Sequence, residues 1–196
     1  MQMIKTPLFW CSLAWGAIIG TAGIFVILGA ANIAAFFGAP VVLGLLISVS
    51  NGAGRPLVGL SFDRLGRSKT MYTCCILMLT AGIFLYSGAL LYNTILIIFG
   101  LLLTGFSISF IPTVTVTNIS IFFGQSNYPV NLSIHNFVST PAALLGPILY
   151  AMILENSGGT YNAMFLLIIV FSLISFIVCV LFDLSAARMI RRHKLT

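Results

Sequence analysis

Long apolar runs separated by short polar segments dominate the sequence. Each run is continuous over roughly 20 residues, the length that an α-helix needs to cross the hydrocarbon core of a bilayer. A transmembrane β-barrel would instead show alternating segments of about 10 residues. The pattern therefore predicts six membrane-spanning helices, at about residues 8–31, 41–61, 70–91, 95–118, 131–154 and 164–183.

Composition supports the same class of protein. Hydrophobic residues make up 60% of the 196 residues and charged residues only 6%, whereas a soluble domain carries about 25% charged residues. So few charges cannot cover a water-soluble surface, so lipid must be the solvent for most of the chain. Because spanning segments in lipid satisfy their own backbone hydrogen bonds, we expect an all-α membrane protein that forms a single bundle over residues 1–196.

Basic residues outside the apolar runs predict the orientation of the chain. They precede the first span, lie between the second and third spans, and follow the sixth span in a basic tail at 185–196: Lys5, Arg64, Arg67, Lys69, Arg188, Arg191, Arg192 and Lys194. Short loops rich in Lys and Arg stay in the cytoplasm. We therefore expect both termini in the cytoplasm, although the kind of membrane stays open. The net charge of +6 indicates topology and an attraction for anionic lipid, with no nucleic-acid partner.

One charged segment between the second and third spans has a recognisable pattern, Gly59-Leu60-Ser61-Phe62-Asp63-Arg64-Leu65-Gly66-Arg67-Ser68-Lys69. A glycine at 59 allows two helices to approach closely. Asp63 is placed to pair with a basic residue or to cap the start of the next helix. Gly66 permits a tight turn.

This segment resembles the loop motif that the major facilitator superfamily carries between the second and third helices of each six-helix half. Here Ser68 displaces the final basic residue of the motif onto Lys69. The resemblance implies half of a major-facilitator fold, built from two three-helix inverted repeats. It also implies a gating role for the loop residues Gly59, Asp63, Arg64, Gly66 and Arg67.

Residues 51–56 are similar to the eighth helix of the oxalate:formate antiporter and monocarboxylate porter group, and residues 5–10 to the entry to the seventh. The chain thus resembles a C-terminal half. The expected partner is an N-terminal six-helix half, in the same full-length chain or a separate subunit.

Arg55 is the main candidate for substrate binding. It lies inside the second span, roughly 9 Å from its predicted end at 1.5 Å per residue, where a charge is costly. Asn51 lies one turn earlier on the same face. Pro56 has no N–H to give to Gly52, which loosens the helix, and an interrupted helix points to a transporter site. In the resembled group an arginine in this helix faces the substrate carboxylate, which a guanidinium holds in a bidentate fork. The alternative is that Arg55 snorkels to the membrane surface and only anchors the helix.

His135, at the start of the fifth span, is a weaker candidate for substrate binding. A lone His at a helix start is more often a hydrogen-bonded packing residue. The fifth span has no Lys or Arg, so a single fixed positive charge favours a monocarboxylate over a dicarboxylate. The hydroxyl residues of the fourth span serve either a pore or helix packing.

These features favour secondary active transport of a small organic anion by alternating access, as half of a twelve-helix transporter. The alternative is a non-transporting membrane scaffold or a degenerate half-transporter subunit. An enzyme is not expected, because no acid/base pair or activated nucleophile is evident. No cofactor or metal is expected either, because the phosphate-cradling loop motif is absent and the four cysteines lack metal-ligand spacing. These cysteines are Cys11, Cys74, Cys75 and Cys179.

Overall fold

A computed structural model describes residues 3–125, 127–137 and 139–193, and these ranges contain helices but no strand. Short 3-10 helices at Met3–Lys5 and Val41–Leu45 precede the first two long helices. The α-helices are α1 (Pro7–Phe36), α2 (Leu46–Leu65), α3 (Arg67–Leu90), α4 (Thr94–Ile108), α5 (Phe110–Phe123), α6 (Tyr128–Asn136), α7 (Ser139–Asn156) and α8 (Asn162–His193).

Six helical segments of the described chain are long and apolar enough to cross a membrane. They are Pro7–Phe36, Val41–Leu65, Arg67–Leu90, Thr94–Phe123, Tyr128–Asn156 and Asn162–Met189, here called the first to sixth spans. The prediction of an all-helical chain with six candidate spans is confirmed. The helices run several residues past most of the predicted boundaries, since a helix can extend beyond the apolar stretch. In the predicted basic tail, helix continues to His193, and Lys194 lies outside the described residues.

The fourth span is interrupted in its middle, where α4 gives way to α5 at Ser109. Pro112 has no N–H to bond to the carbonyl of Ile108, so the regular helical ladder is interrupted there. The hydroxyl of Ser109 donates to the carbonyl of Phe106 at 2.6 Å. The same carbonyl also accepts the backbone N–H of Ser109 at 3.2 Å.

The first span lies at the centre of the bundle and packs against α4, α7 and α8, while α3 packs between α4 and α8. Its fully buried side chains include Trp15, Ile19 and Phe25, and the sixth span adds Phe165. The loop between α2 and α3 turns at Gly66, which has a φ of 77°, as the sequence predicted for this glycine.

Small residues bring the second and fourth spans together. A Cβ at Gly105 would overlap the backbone carbonyl of Ile47, and a Cβ at Gly54 would overlap the side chain of Ser109. Ser50 also donates from its hydroxyl to the carbonyl of Leu102 at 2.7 Å. Close approach and a hydroxyl–backbone bond are the usual means of joining helices in lipid.

The close approach predicted at Gly59 is wrong for contacts within this chain. No atom lies within 4 Å of the position that a Cβ at Gly59 would occupy. The buried stripe of α2 consists of Ile47, Gly54, Val58 and Phe62. Gly59 lies beside this stripe, so it faces away from α4.

We predict opposite effects for two glycine substitutions. Gly105→Ala forces its methyl group onto backbone, so it should destabilise the bundle by about 1–3 kcal/mol. Gly59→Ala meets open space and replaces glycine with the best helix former, so it should be neutral or stabilising by up to about 1 kcal/mol. Denaturation of both purified variants in mixed micelles measures the difference. Equal stability of the two would contradict the packing described for α2 and α4.

Candidate functional site

Arg55 lies on the exposed surface of α2. It makes no ion pair or hydrogen bond with any described residue. Because α2 continues to Leu65, Arg55 is about 15 Å from the end of its helix at 1.5 Å per residue. Arg55 is therefore farther from the end of its helix than the sequence suggested, although the last turn of α2 carries the exposed charges Asp63 and Arg64.

Asn51 precedes Arg55 by one helical turn and is half-buried. Its Oδ1 atom is buried and has no hydrogen-bond partner. Between the two residues in sequence, Gly54 packs on Phe106 and Ser109, where the fourth span breaks. The two polar side chains of α2 thus lie beside a helix interruption, the kind of backbone that lines ligand cavities in transporters.

The second span combines low hydropathy with low burial. Its mean hydropathy, 1.4, is the lowest of the six spans, and only 22% of its core stretch is buried. The sixth span has a mean hydropathy of 3.2 and is 33% buried, as suits a helix that faces lipid. The fifth span is 12% buried. The second span therefore exposes a surface that is poorly matched to hydrocarbon.

His135 occupies a different environment. It is buried between α6 and the first span, where its Nε2 lies 2.9 Å from the hydroxyl oxygen of Ser12. The edge of its ring meets Phe9, with ring centroids 5.7 Å apart. Asn51 and Arg55 are neighbours along α2 without a hydrogen bond between their side chains, whereas His135 contacts Ser12 and Phe9.

A small cavity adjoins His135. Its volume is about 10 Å³, and its lining is mostly apolar, with Ser12, Asn118 and His135 as the polar members. The Nδ1 of His135 and the Oδ1 of Asn118 are buried without a hydrogen-bond partner among the described residues. A cavity of this size is at the minimum for one water molecule.

Hydroxyl residues of the fourth span bond to their own helix. Thr104 donates to the carbonyl of Gly100, Ser107 to that of Leu103 and Thr117 to that of Thr113, all at 2.7–2.8 Å. Thr104 and Ser107 are fully buried. Of the two interpretations that the sequence left open, these contacts favour helix packing over pore lining.

Arg67 and Ser68, the first two residues of α3, hold the turn between the second and third spans to the rest of the bundle. A terminal nitrogen of Arg67 lies 3.4 Å from Oδ1 of Asp183 in α8, and Ser68 donates a hydrogen bond to the other carboxylate oxygen. The guanidinium also lies over the rings of Phe122 and Phe182, 4.8 Å and 5.4 Å from their centroids. Arg67 therefore connects the loop to the ends of the fourth and sixth spans.

Asp63 and Arg64 have no such role. Both are exposed, and neither has a partner among the described residues. The expected pairing or capping by Asp63 is wrong within this chain. Asp63 still belongs to the last turn of α2, and the N-cap of α3 is Gly66, which has no side chain.

Sequence reasoning missed Asp183 as the partner of this loop. One signal was available: the chain has only three acidic residues, and Asp183 lies at the same end of the bundle as the basic loop. A cation at a membrane surface is stabilised by such a counter-charge.

Comparison with known protein families finds no family model that matches the chain, and comparison with curated proteins finds no match. No group of three or more potential metal ligands occurs in the part of the chain that the structure describes. The observations define the class: a helical, multi-pass membrane protein with six candidate spans.

We predict an energetic coupling between Arg67 and Asp183. Their side chains are only 21% and 29% exposed, so solvent screens the pair incompletely. A double-mutant cycle with Arg67→Met and Asp183→Asn should give a coupling energy of about 1–2 kcal/mol in unfolding measurements.

The matched control is the same cycle with Arg64→Met in place of Arg67→Met. Arg64 has no described partner, so its coupling to Asp183 should be close to zero. Equal coupling in both cycles would mean that general electrostatics, and not the Arg67 contact, stabilises the loop.

Proposed function

We propose that this protein is one half of a secondary transporter for a small organic anion, with Arg55 as the residue that binds the anion. The observation that carries the proposal is the exposed position of Arg55, deep in the second span and without a counter-charge among the described residues. Such an ionisable residue within a membrane helix is a functional-site hypothesis by default.

The proposed partner is a second six-helix half, in the arrangement of the major facilitator superfamily. The second span supports this, because a helix of low hydropathy and low burial gains from protein contact more than from lipid contact. Among the described residues, Asp63 and Arg64 have no side-chain partner, and no atom lies near the Cβ position of Gly59. These residues would be available to the opposite half as the gating loop, while Gly66 forms the turn and Arg67 holds it to its own bundle.

The proposed substrate is a monocarboxylate. A guanidinium pairs with a carboxylate through two parallel N–H···O bonds. The proposed role of Asn51, as an acceptor one turn away for a hydroxyl or a water, requires its Oδ1, which is buried and unpaired, to become accessible when the substrate binds. The fifth span adds no Lys or Arg, so a second carboxylate would have no fixed counter-charge. His135 contributes indirectly, through the hydrogen bond that joins α6 to the first span.

We propose cytoplasmic termini for the membrane orientation, which predicts opposite accessibility for two introduced cysteines. Asn156→Cys and Lys69→Cys replace exposed residues at opposite ends of the bundle. In a Cys11→Ala background, a membrane-impermeant maleimide should label Cys at 156 in intact cells. It should label Cys at 69 only after permeabilisation. Labelling of both positions in intact cells would rule out this topology.

We predict that Arg55 determines carboxylate uptake. Arg55→Lys keeps the charge but loses the fork, and Arg55→Ala loses both. Because a hydrogen bond to a charged group is worth about 1.5–3 kcal/mol, Arg55→Ala should weaken transport by roughly tenfold to a hundredfold, and Arg55→Lys by less. The measurement is uptake of labelled formate, acetate and lactate by liposomes that contain both halves.

Glu155→Gln is the control, since it removes an exposed charge at the opposite end of the bundle and should leave uptake unchanged. The six-helix chain alone sets the baseline, because alternating access needs two bundles around one site. Full uptake by Arg55→Ala would assign Arg55 to anchoring. Absence of uptake by both halves together would favour the scaffold.

A further inference from the structure

A large cavity lies at the loop end of the bundle, the end that carries the segment 62–69. Its volume is about 980 Å³. It is open on one side and is lined by the start of α1, the end of α5, α6 and the end of α8. Neither Arg55 nor Asn51 lines it, so this cavity is separate from the proposed transport site.

The cavity has a positive electrostatic character. Lys5 and Arg188 both line it, both are exposed, and neither forms an ion pair or hydrogen bond through its side chain with a described residue. Its described lining contains no acidic residue. The chain's three acidic side chains are accounted for elsewhere: Asp183 bonds to Arg67 and Ser68, and Asp63 and Glu155 lie outside the lining.

Helix ends and side-chain amides also surround the cavity. The starts of α1 at Pro7 and of α6 at Tyr128 lie beside the cavity, but so do the ends of α5 and α8, so the helix dipoles largely offset one another there and the positive character comes from Lys5 and Arg188. Asn127 and Asn131 contribute side-chain donors. The two basic side chains and the two amides favour an anion.

The remaining lining is apolar and includes Leu8, Phe122 and Val130. The exposed Trp10, whose indole nitrogen donates to the carbonyl of Ile4 at 2.9 Å, lies one helical turn from the cavity residues of α1. Exposed tryptophans of this kind gather at the level of lipid headgroups. The cavity therefore has a cationic part and an apolar part at the depth where a phospholipid changes from headgroup to acyl chain.

We propose that this cavity binds the phosphate of an anionic phospholipid. Lys5 and Arg188 pair with the phosphate oxygens, Asn127 and Asn131 donate to the headgroup, and the apolar lining receives the beginning of the acyl chains. The loop end is the end that we propose faces the cytoplasm, where anionic lipids are abundant. The lipid site itself does not depend on the transport proposal.

The test is a titration of the purified 196-residue chain in neutral detergent, with bound lipid counted by native mass spectrometry. The probes are dioctanoyl phosphatidylglycerol, dioctanoyl phosphatidylcholine and glycerol 3-phosphate. We expect one saturable phosphatidylglycerol site, with much weaker binding of phosphatidylcholine. Since each basic residue near a membrane surface contributes about 1 kcal/mol to anionic-lipid attraction, the double variant Lys5→Gln/Arg188→Gln should weaken binding roughly thirtyfold.

The matched control is Arg64→Gln/Lys69→Gln, which removes two exposed charges from the same end of the bundle but not from the cavity. It should change binding by no more than about threefold. Equal weakening by both double variants would show attraction by net charge alone and overturn the site. If glycerol 3-phosphate binds as tightly as phosphatidylglycerol, the cavity binds a free phosphate ester and not a lipid. Equal binding of both lipids would show that the cavity does not select an anionic headgroup.

Discussion

A charged side chain on a membrane helix needs contact with water, a counter-charge or another protein surface, because hydrocarbon cannot solvate a charge. This chain has few charges, and two of its arginines have contrasting surroundings. Arg67 finds Asp183 and two aromatic rings, which holds the loop between the second and third spans against the sixth. Arg55 finds no described partner. Arg67 is thus paired within this bundle, whereas Arg55 has no counter-charge among the described residues.

The same division appears in the packing of the second span. Its inner face is closely fitted to the fourth span, through Gly54 and Gly105 and through the hydroxyl of Ser50. Its outer face carries Arg55, Gly59 and Asp63, around which the described chain offers no ion pair or close helix contact. A helix that faced only lipid would need no glycine or charge on that side. This polar outer face is the feature on which the proposal of a second half rests.

The six spans could be predicted from the sequence because the thickness of a bilayer acts on each segment separately, and a run of apolar residues reports it directly. The turn at Gly66 was predictable for a similar reason, since a positive φ is a local property. The close approach at Gly105, in contrast, depends on which helix faces it, and the sequence pointed to Gly59 instead. The partner of Arg67 is separated from it by more than a hundred residues, so local pattern could not select Asp183. The hydrogen bond between His135 and Ser12 likewise follows only from the fold.

If the second span faces another half, the charge of Arg55 also bears on how such a transporter changes state. Closing a protein surface over an unpaired guanidinium removes it from water without compensation, which is costly. Closing over a guanidinium that already holds a carboxylate buries a neutral, hydrogen-bonded pair, which costs much less. The bound anion would then shift the equilibrium toward the closed state by the difference between these two free energies, since a ligand shifts a conformational equilibrium only through its differential affinity for the states. The substrate would thus supply the counter-charge for Arg55. The same unpaired charge that is costly in lipid would then make closure of the transporter depend on the substrate.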